Sequence, residues 1–500
     1  MNLLVINPPV PADDQWAAKA CWYLREENHA APDSTPMPPH FLPAILGQVR
    51  QRLGKDLKVK ILDGLLEPFD QETAREIARK FEADAALVMA SVDFIAHDCS
   101  FAQLPCPSFV QICPVTADPR EACALYPLKG DYFLFGGESE ASLAEALLEL
   151  RDSGRVVQAP GLIRRGPDGA MSFSPPPKVD QAGLALPAYD LLPMPVYLEC
   201  QRKREPDAKR HDSALIKSMK GCLFSCIFCT CSSEGQRARY KSPEQVLAEM
   251  TLLKNEHGIN RFVFLDPEFG VNLPRAKDIC RGIIQRSLDI SFLICNRVDL
   301  VDEELLGLLA RAGCEGVRYG IESADHGVQK LINKKIDLER AKKAIAATSR
   351  AGLKVHLFFM LGLPGETAKT IDLNARFILD TQADSYSLGR VFLIPDTSLY
   401  QTMRHEGRLQ EKDWQRYRRA DTYQFRHDYY PDLKSLQRAE RRLSSVINRK
   451  RLSSYRKGPL NLRLFLFLGS FDFFTQGFKE NFPRAYQACR SLMLKLLGLK

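Results

Sequence analysis

Cys222, Cys226 and Cys229, in Gly221-Cys222-Leu-Phe-Ser-Cys226-Ile-Phe228-Cys229, put three thiols on one short loop at C-x3-C-x2-C spacing. Three thiolates can hold three irons of a [4Fe–4S] cube while the fourth iron stays open to a reactant. Structural metal sites close with four protein ligands, whereas catalytic sites keep a vacancy. The alternative is a four-sulfur zinc site that adds Cys231, two residues beyond Cys229. Zinc knuckles are usually separated by a longer stretch, and a C-x-C step crowds the metal. Cys231 is therefore read as a bystander, and the cluster as the better account of the loop.

With this spacing and the aromatic Phe228 just before the third cysteine, the triplet resembles the radical S-adenosylmethionine superfamily. The resemblance implies that the amino and carboxylate groups of S-adenosylmethionine bind the open iron. One electron passed to the sulfonium would then break a carbon–sulfur bond and free a 5′-deoxyadenosyl radical, so that the cofactors carry the hard step. The protein must supply a dry cavity, donors and acceptors for the nucleoside, and a small-molecule substrate held close to the radical carbon. An electron donor such as a flavodoxin or ferredoxin is implied as a partner.

The resemblance also proposes cofactor-binding positions. Gly320-Ile321-Glu322-Ser323 looks like the family's G-I-E-S element, which contacts the ribose and methionine end, and a carboxylate there can accept from hydroxyl or amino groups. Gly362-Leu-Pro364-Gly365-Glu366 resembles the G-L-P-G-E turn, whose glycines allow backbone approach to the adenosyl group. Glu366 alternatively begins the next helix, where a carboxylate is favoured anyway. Phe228 would pack near the adenine. Arg297 can make a fork-like contact to a carboxylate, its alternative being a surface ion pair. Asp266-Pro-Glu268-Phe269 stands where the family offers an acidic residue and an aromatic facing the cavity, and Ile394-Pro395-Asp396-Thr397 looks like the adenine-side loop, with Asp396 where glycine is more usual. Cys280, Cys295 and Cys314 read as small buried hydrophobes.

These positions fall at the ends of regularly spaced apolar runs. From about 213 to 400 the runs Ala214–Met219, Phe262–Leu265, Ser291–Ile294, Gly316–Tyr319, Lys354–Phe359 and Tyr386–Val391 alternate with helical stretches. Ser242-Pro243-Glu244-Gln245 supplies an N-cap, a proline at the first helical position and a reciprocal capping glutamine. Gly313 and Gly352 are expected to end helices. The pattern predicts a partial (βα)6 TIM-like barrel with reactive groups beyond the strands' carboxyl ends.

Residues 1–150 carry a second βα rhythm, with strand-length runs at Leu3–Ile6, Val59–Leu62, Ala86–Met89 and Tyr132–Phe135. This predicts an α/β, doubly wound, Rossmann-like domain. Asn7-Pro8-Pro9, Ile61-Leu62-Asp63 and Gly136-Gly137-Glu138-Ser139-Glu140 resemble the cobalamin-binding domain that precedes the core in one large subfamily. The D-x-H-x-x-G loop, whose histidine would ligate cobalt from below, is absent: His29, His40 and His97 stand outside that pattern. Members of that subfamily can lack the histidine and still bind cobalamin, so the ligand stays open. Cys99, Cys106, Cys113 and Cys123 match no ligand rhythm. Residues 151–212, rich in proline, read as a connector.

Residues 401–500 hold 22 Lys+Arg against 9 Asp+Glu, a net of +13, while the first 400 carry −5 of the total +8. The excess points to a solvated helical face or to an anionic partner. A basic helix is expected over Leu436–Arg456, followed by an apolar, aromatic stretch, Leu460–Phe478, too polar and short to span a bilayer. That mostly helical region is read as a lid over the barrel or as an amphipathic helix in peripheral contact with a membrane. Fourteen cysteines without a paired framework, and no leader-like opening, predict a reducing, cytoplasmic setting. The reading is thus a radical enzyme methylating an unactivated carbon. The alternatives are cobalamin-independent cyclisation or rearrangement, and a non-catalytic zinc or cobalamin-binding protein. A methylthiolating enzyme acting on transfer RNA is disfavoured, since a further N-terminal cysteine triplet and a terminal β-barrel are not evident, and nucleic acid is not expected as a partner.

Overall fold

The apolar runs of the N-terminal third become parallel strands because both faces of each are covered by helices. The computed structural model describes residues 1–9, 41–54, 56–64, 66–91, 95–113, 129–134, 139–165, 170–175, 177, 179, 183–204, 212–232, 238–394, 397–410 and 423–455. In the first unit, β1 (Asn2–Asn7), α1 (Phe41–Leu53), β2 (Lys58–Asp63), α2 (Gln71–Lys80), β3 (Ala85–Ser91), α3 (Ile95–Ser100), β4 (Ser108–Cys113), β5 (Tyr132–Leu134) and α4 (Ser139–Ser153) follow in turn. The strand order β2-β1-β3-β4-β5 is all parallel and reverses direction of growth between β1 and β3. Such a switch point opens a crevice at the carboxyl ends of the strands. Strand β4 is an addition to the sequence reading. Its buried Ser108 and Gln111 break the apolar run that would have announced it.

The stretch read as a connector is partly regular. Strands β6 (Leu162–Arg165) and β7 (Met171–Phe173) extend the first sheet, β6 antiparallel to β5 and β7 antiparallel to β6, and α5 (Met194–Arg204) leads into the barrel.

The barrel comprises β8 (Ser213–Ile216), a ribbon of β9 (Met219–Lys220) and β10 (Arg239–Tyr240), then α6 (Pro243–His257), β11 (Arg261–Phe264), α7 (Leu273–Gln285), β12 (Ser291–Asn296), α8 (Glu303–Arg311), β13 (Cys314–Glu322), α9 (His326–Leu331), α10 (Leu338–Arg350), β14 (Lys354–Leu361), α11 (Ala368–Asp380) and β15 (Ser385–Arg390). Its six-stranded sheet runs β15-β14-β13-β12-β11-β8, every pair parallel, and β15 and β8 do not join. The expected first strand therefore ends at Ile216, and Met219-Lys220 turns away to pair with Arg239-Tyr240. The capping box forms as the sequence predicts, with Ser242 N–H donating to Gln245 Oε1 at 2.8 Å and Gln245 N–H to Ser242 Oγ at 3.2 Å. Helices α8 and α10 are capped by Ala312 and Ala351, immediately before Gly313 and Gly352.

Side chains alternate cleanly on the central strands. Val317, Tyr319, Val355, Leu357 and Phe359 are buried beneath the helices; Tyr319 pairs its hydroxyl with Thr348 of α10 at 2.8 Å, and Phe359 meets Phe377 of α11 edge to face. The intervening residues therefore face the concave side of the sheet.

Beyond the barrel come α12 (Ser398–His405) and α13 (Leu433–Tyr455), which matches the basic helix expected from Leu436. Helix α13 lies on α11 and β15, with Arg390 Nη2 2.7 Å from Glu440 Oε2 and Lys450 Nζ donating to the Leu379 carbonyl at 3.0 Å near the end of α11. No helix among the described residues is long and apolar enough to cross a membrane. Leu460–Phe478, Pro395-Asp396, Gly136-Gly137-Glu138, His29, His40 and Cys123 lie outside the described residues.

Candidate active site

The cysteine loop follows β9 and is braced from two sides. Ile227 N–H donates to the Ile332 carbonyl at 3.1 Å, Leu399 N–H to the Ile227 carbonyl at 2.9 Å, and Asn333 Nδ2 reaches the Ser225 carbonyl and hydroxyl at 3.0 and 2.6 Å. Asn333 holds a left-handed backbone, φ 55°, which asparagine tolerates. Cys222 and Cys226 are buried, Cys229 and Cys231 half-buried. Burial pushes the Cys222 thiol up to about 12 and that of Cys226 to about 11. Cys229 is brought down to about 7, chiefly because the Cys231 side chain hydrogen-bonds to it. Cys231 is thus a hydrogen-bonding neighbour of Cys229. Among the described residues no three His, Cys, Asp or Glu side chains gather around one point.

Above the loop lies a buried ion pair between Glu322 and Lys334. Lys334 Nζ donates to Glu322 Oε1 at 2.8 Å, and both side chains are about nine-tenths covered, at 8% and 10% exposure. Burial opposes the charge on Lys334, but Glu322, Cys226 and Glu268 together raise its pKa. Glu322 closes β13 with φ 63°, at a bulge in the pairing with β14. Gly320 leaves the room this pair needs: a Cβ there would stand 2.4 Å from Glu322 Oε1 and 2.6 Å from Lys334 Nζ. Ser323 is fully buried and accepts a hydrogen bond from Asp325 N–H at 3.3 Å.

Arg297, just past β12, is buried and spends its fork on Asp299, at 3.0 and 2.9 Å. Its Nη2 also donates to the Lys334 carbonyl at 3.0 Å, and its plane lies 3.9 Å from the Phe224 ring in the cysteine loop. Nη1 is buried with no hydrogen-bond partner. Nearby Glu268 is half-buried, with its Oε2 atom enclosed and unpartnered, and desolvation pushes its carboxyl up to about 8 despite Lys334 and Arg297. Asp266 has a structural task instead of facing the cavity. It accepts from Ser218 and Met219 N–H at 2.6 and 3.0 Å and from the Ser218 hydroxyl, fixing the turn into the cysteine loop.

The turn after β14 is more enclosed than the sequence suggests. Gly362 and Gly365 have φ 84° and 79°, and a Cβ on Gly365 would meet Leu331 Cδ1 at 2.3 Å. The glycines serve the turn's own backbone and packing. Pro364 is half-buried between them. Glu366 lies ahead of α11, whose N-cap is Thr367, and folds back so that Oε2 accepts from Gly362 N–H at 2.9 Å and from the Tyr430 hydroxyl at 2.9 Å. His427 Nε2 lies 2.7 Å from the Leu363 carbonyl. The C-terminal region thus docks on this turn. Phe228 is half-buried and packs with Ile227 against a cluster that includes Val328, Ile332, Leu363 and Leu399.

The two sheets meet at their carboxyl edges. Asp63, ending β2, accepts from Asn7 Nδ2 at 2.9 Å and from the Tyr197 hydroxyl of α5. Glu140, in the first turn of α4, takes both its oxygens to Lys220 Nζ at 2.7 and 2.8 Å, two residues before Cys222. Asn333, Lys334, Tyr430 and the pairing of Glu140 with Lys220 were beyond sequence reasoning: Asn-Lys-Lys after a helix reads as a solvated end, and contacts across 64 to 108 residues leave no local trace.

The residues 216–378 match the Radical SAM superfamily model. An uncharacterized methyltransferase of Pyrococcus horikoshii is 27% identical over 393 residues, spanning 77% of this chain and 82% of that protein. Among solved structures, the radical S-adenosylmethionine methyltransferase TsrM from Kitasatospora setae, with tryptophan substrate and a SAM analog bound, superposes with a TM-score of 0.68 at 18% identity, covering 98% of this chain and 99% of that one. The cobalamin-dependent S-adenosylmethionine radical enzyme OxsB gives a TM-score of 0.66 at 14% identity, over 100% and 75%. Residues 216–378, which hold the cysteine triplet and most of the all-parallel six-stranded partial barrel, form a Radical SAM superfamily domain, and the chain is an enzyme.

Proposed function

We propose that the chain is a cobalamin-using radical S-adenosylmethionine methyltransferase acting on an unactivated carbon of a small molecule. The observation that carries the reading is the meeting of the two carboxyl edges, at which a cysteine triplet in the barrel lies two residues from an ion pair to the first turn of α4. The donor set fits a cluster: three thiols on one braced loop, with the cations of Lys334 and Arg297 near enough to offset thiolate charge. Cys222, Cys226 and Cys229 would hold it, and bound there it supplies the electron that splits the sulfonium. Metal binding displaces the thiol protons that burial otherwise retains on Cys222 and Cys226.

Gly320, Glu322 and Ser323, with Arg297, would hold the methionine end; Phe228, Gly362, Pro364 and Gly365 would flank the adenosyl end. Glu322 and Lys334 present opposite charges at the site, suited to an amino acid moiety that carries both. The β1/β3 switch point would take cobalamin, which carries the methyl group when bound, with no histidine of a D-x-H-x-x-G loop below it. The docked stretch from Tyr423 to Lys450 acts as a lid that keeps water from the barrel. An electron donor such as a flavodoxin or ferredoxin would be the partner.

Anaerobic purification of the full chain with cobalamin supplied, followed by iron, sulfide, cobalt and zinc analysis, tests the assignment. Iron–sulfur with about one cobalt per chain supports it. Iron–sulfur without cobalt shifts the reading to cyclisation or rearrangement, and zinc alone removes it.

A further inference from the structure

The concave face of the barrel is two-sided. Leu215, Val263, Leu265 and Leu293 form an apolar cluster across β8, β11 and β12. On the other half one register row runs Cys295, Arg318, His356, Ser385 across β12 to β15. Barrel interiors are ordinarily packed with branched apolar side chains, so a polar row is an exception that needs a cause.

The row lies on the concave side because its chain neighbours point away: Tyr319 reaches α10, and the Tyr386 hydroxyl donates to the Ile378 carbonyl in α11 at 3.1 Å. Arg318 is half-buried and always charged, and among the described residues no carboxylate pairs with it. In the row it stands between His356 and Cys295, whose thiol burial pushes up to about 11. Beside it, His356 Nδ1 stands 2.7 Å from Ser385 Oγ, and the His356 ring packs against Phe358 at 4.6 Å. A guanidinium in a partly dry cleft without a counter-charge is costly unless an anion arrives to meet it. Arg318 is four residues before Glu322 on β13, about 13 Å down the strand. It is therefore well separated from the ion pair assigned to the methionine end.

We infer that this half-polar concave face binds the substrate: an organic molecule whose oxyanion end, carboxylate or phosphate, pairs with Arg318 while its apolar body lies on the Leu215, Val263, Leu265 and Leu293 wall. This rests on the radical-enzyme reading and names the substrate class for the same cavity. The planar fork suits a carboxylate in two parallel hydrogen bonds.

Equilibrium binding to the reconstituted full chain tests it, with 4-phenylbutyrate, 3-phenylpropyl phosphate and the neutral 4-phenylbutyramide as probes. The expected result is that at least one acid binds about tenfold tighter than the amide, as a charge-assisted contact implies. Which acid wins separates the two sources. Arg318→Gln should bring the preference down to about threefold or less, and Arg318→Lys, which keeps the charge, should restore part of it. Equal binding of all three probes, no binding by any, or a preference that survives Arg318→Gln overturns the inference. Wild-type protein that releases 5′-deoxyadenosine yet shows no acid preference would overturn this inference alone and leave the radical assignment standing.

Discussion

Tyr430 donates its hydroxyl hydrogen to Glu366 Oε2 at 2.9 Å, and the same oxygen accepts from Gly362 N–H at 2.9 Å. One carboxylate thereby ties the C-terminal region to the turn after the fifth barrel strand, and His427 adds a second tie at Leu363. The tail is thus packed against the turn proposed to flank the adenosyl end.

Tyr430→Phe removes a donor from a buried carboxylate whose other oxygen already has no partner. It should cost about 1–3 kcal/mol in urea unfolding. It should also weaken S-adenosylmethionine binding more than a substitution at exposed Tyr429. Equal effects at the two tyrosines would contradict the link between tail and turn.

Burial raises Glu366 to about 7 from an ordinary 4.5. The folded chain then holds a proton that the unfolded chain has lost over this window, so the stabilisation is complete below about pH 4.5 and is lost as pH rises through about 7. The loss amounts to about 3 kcal/mol at most. Glu366→Gln should flatten the stability profile between pH 5 and 8 relative to wild type. Parallel profiles for the two proteins would contradict this.

Glu140 is buried, and although burial alone would raise its pKa, Lys220 holds it below the ordinary carboxylate value. Glu140→Gln or Lys220→Met alone should destabilise by about 3–5 kcal/mol, because each leaves a buried charge. The double variant should cost clearly less than either single added to the other. Additivity in a double-mutant cycle would mean that the pair does not couple the first sheet to the cysteine loop.

Gly320→Ala should cost about 1–3 kcal/mol, since the new methyl group collides with both ends of a buried ion pair. In a Lys334→Ala background the same change should cost less, as half of the obstruction is gone. An unchanged cost, read by urea midpoint, would place the strain elsewhere.

Much of the architecture was legible because it is periodic. The six barrel strands appear in order where the apolar runs stand, and the Ser242 capping box forms from four adjacent residues. The fold failed to announce itself where local pattern was broken: Ser108 and Gln111 disguised β4, and the residues between Ile216 and Met219 disguised the departure of β9. The cysteine triplet was readable from spacing alone. Its surroundings were not, because Lys334 and Tyr430 reach Glu322 and Glu366 only after the barrel and tail have packed, across 12 and 64 residues. The task of Asp266 was illegible for the same reason, its partners at Ser218 and Met219 being 48 and 47 residues away.

The most direct measurement is release of 5′-deoxyadenosine by anaerobically reconstituted full-length protein given S-adenosylmethionine and a strong reductant. The wild type should carry about four irons per chain and release the nucleoside. Cys226→Ala should remain folded by circular dichroism and release none. Cleavage that persists in Cys226→Ala, or wild-type protein that binds the cluster and never cleaves, would contradict the account.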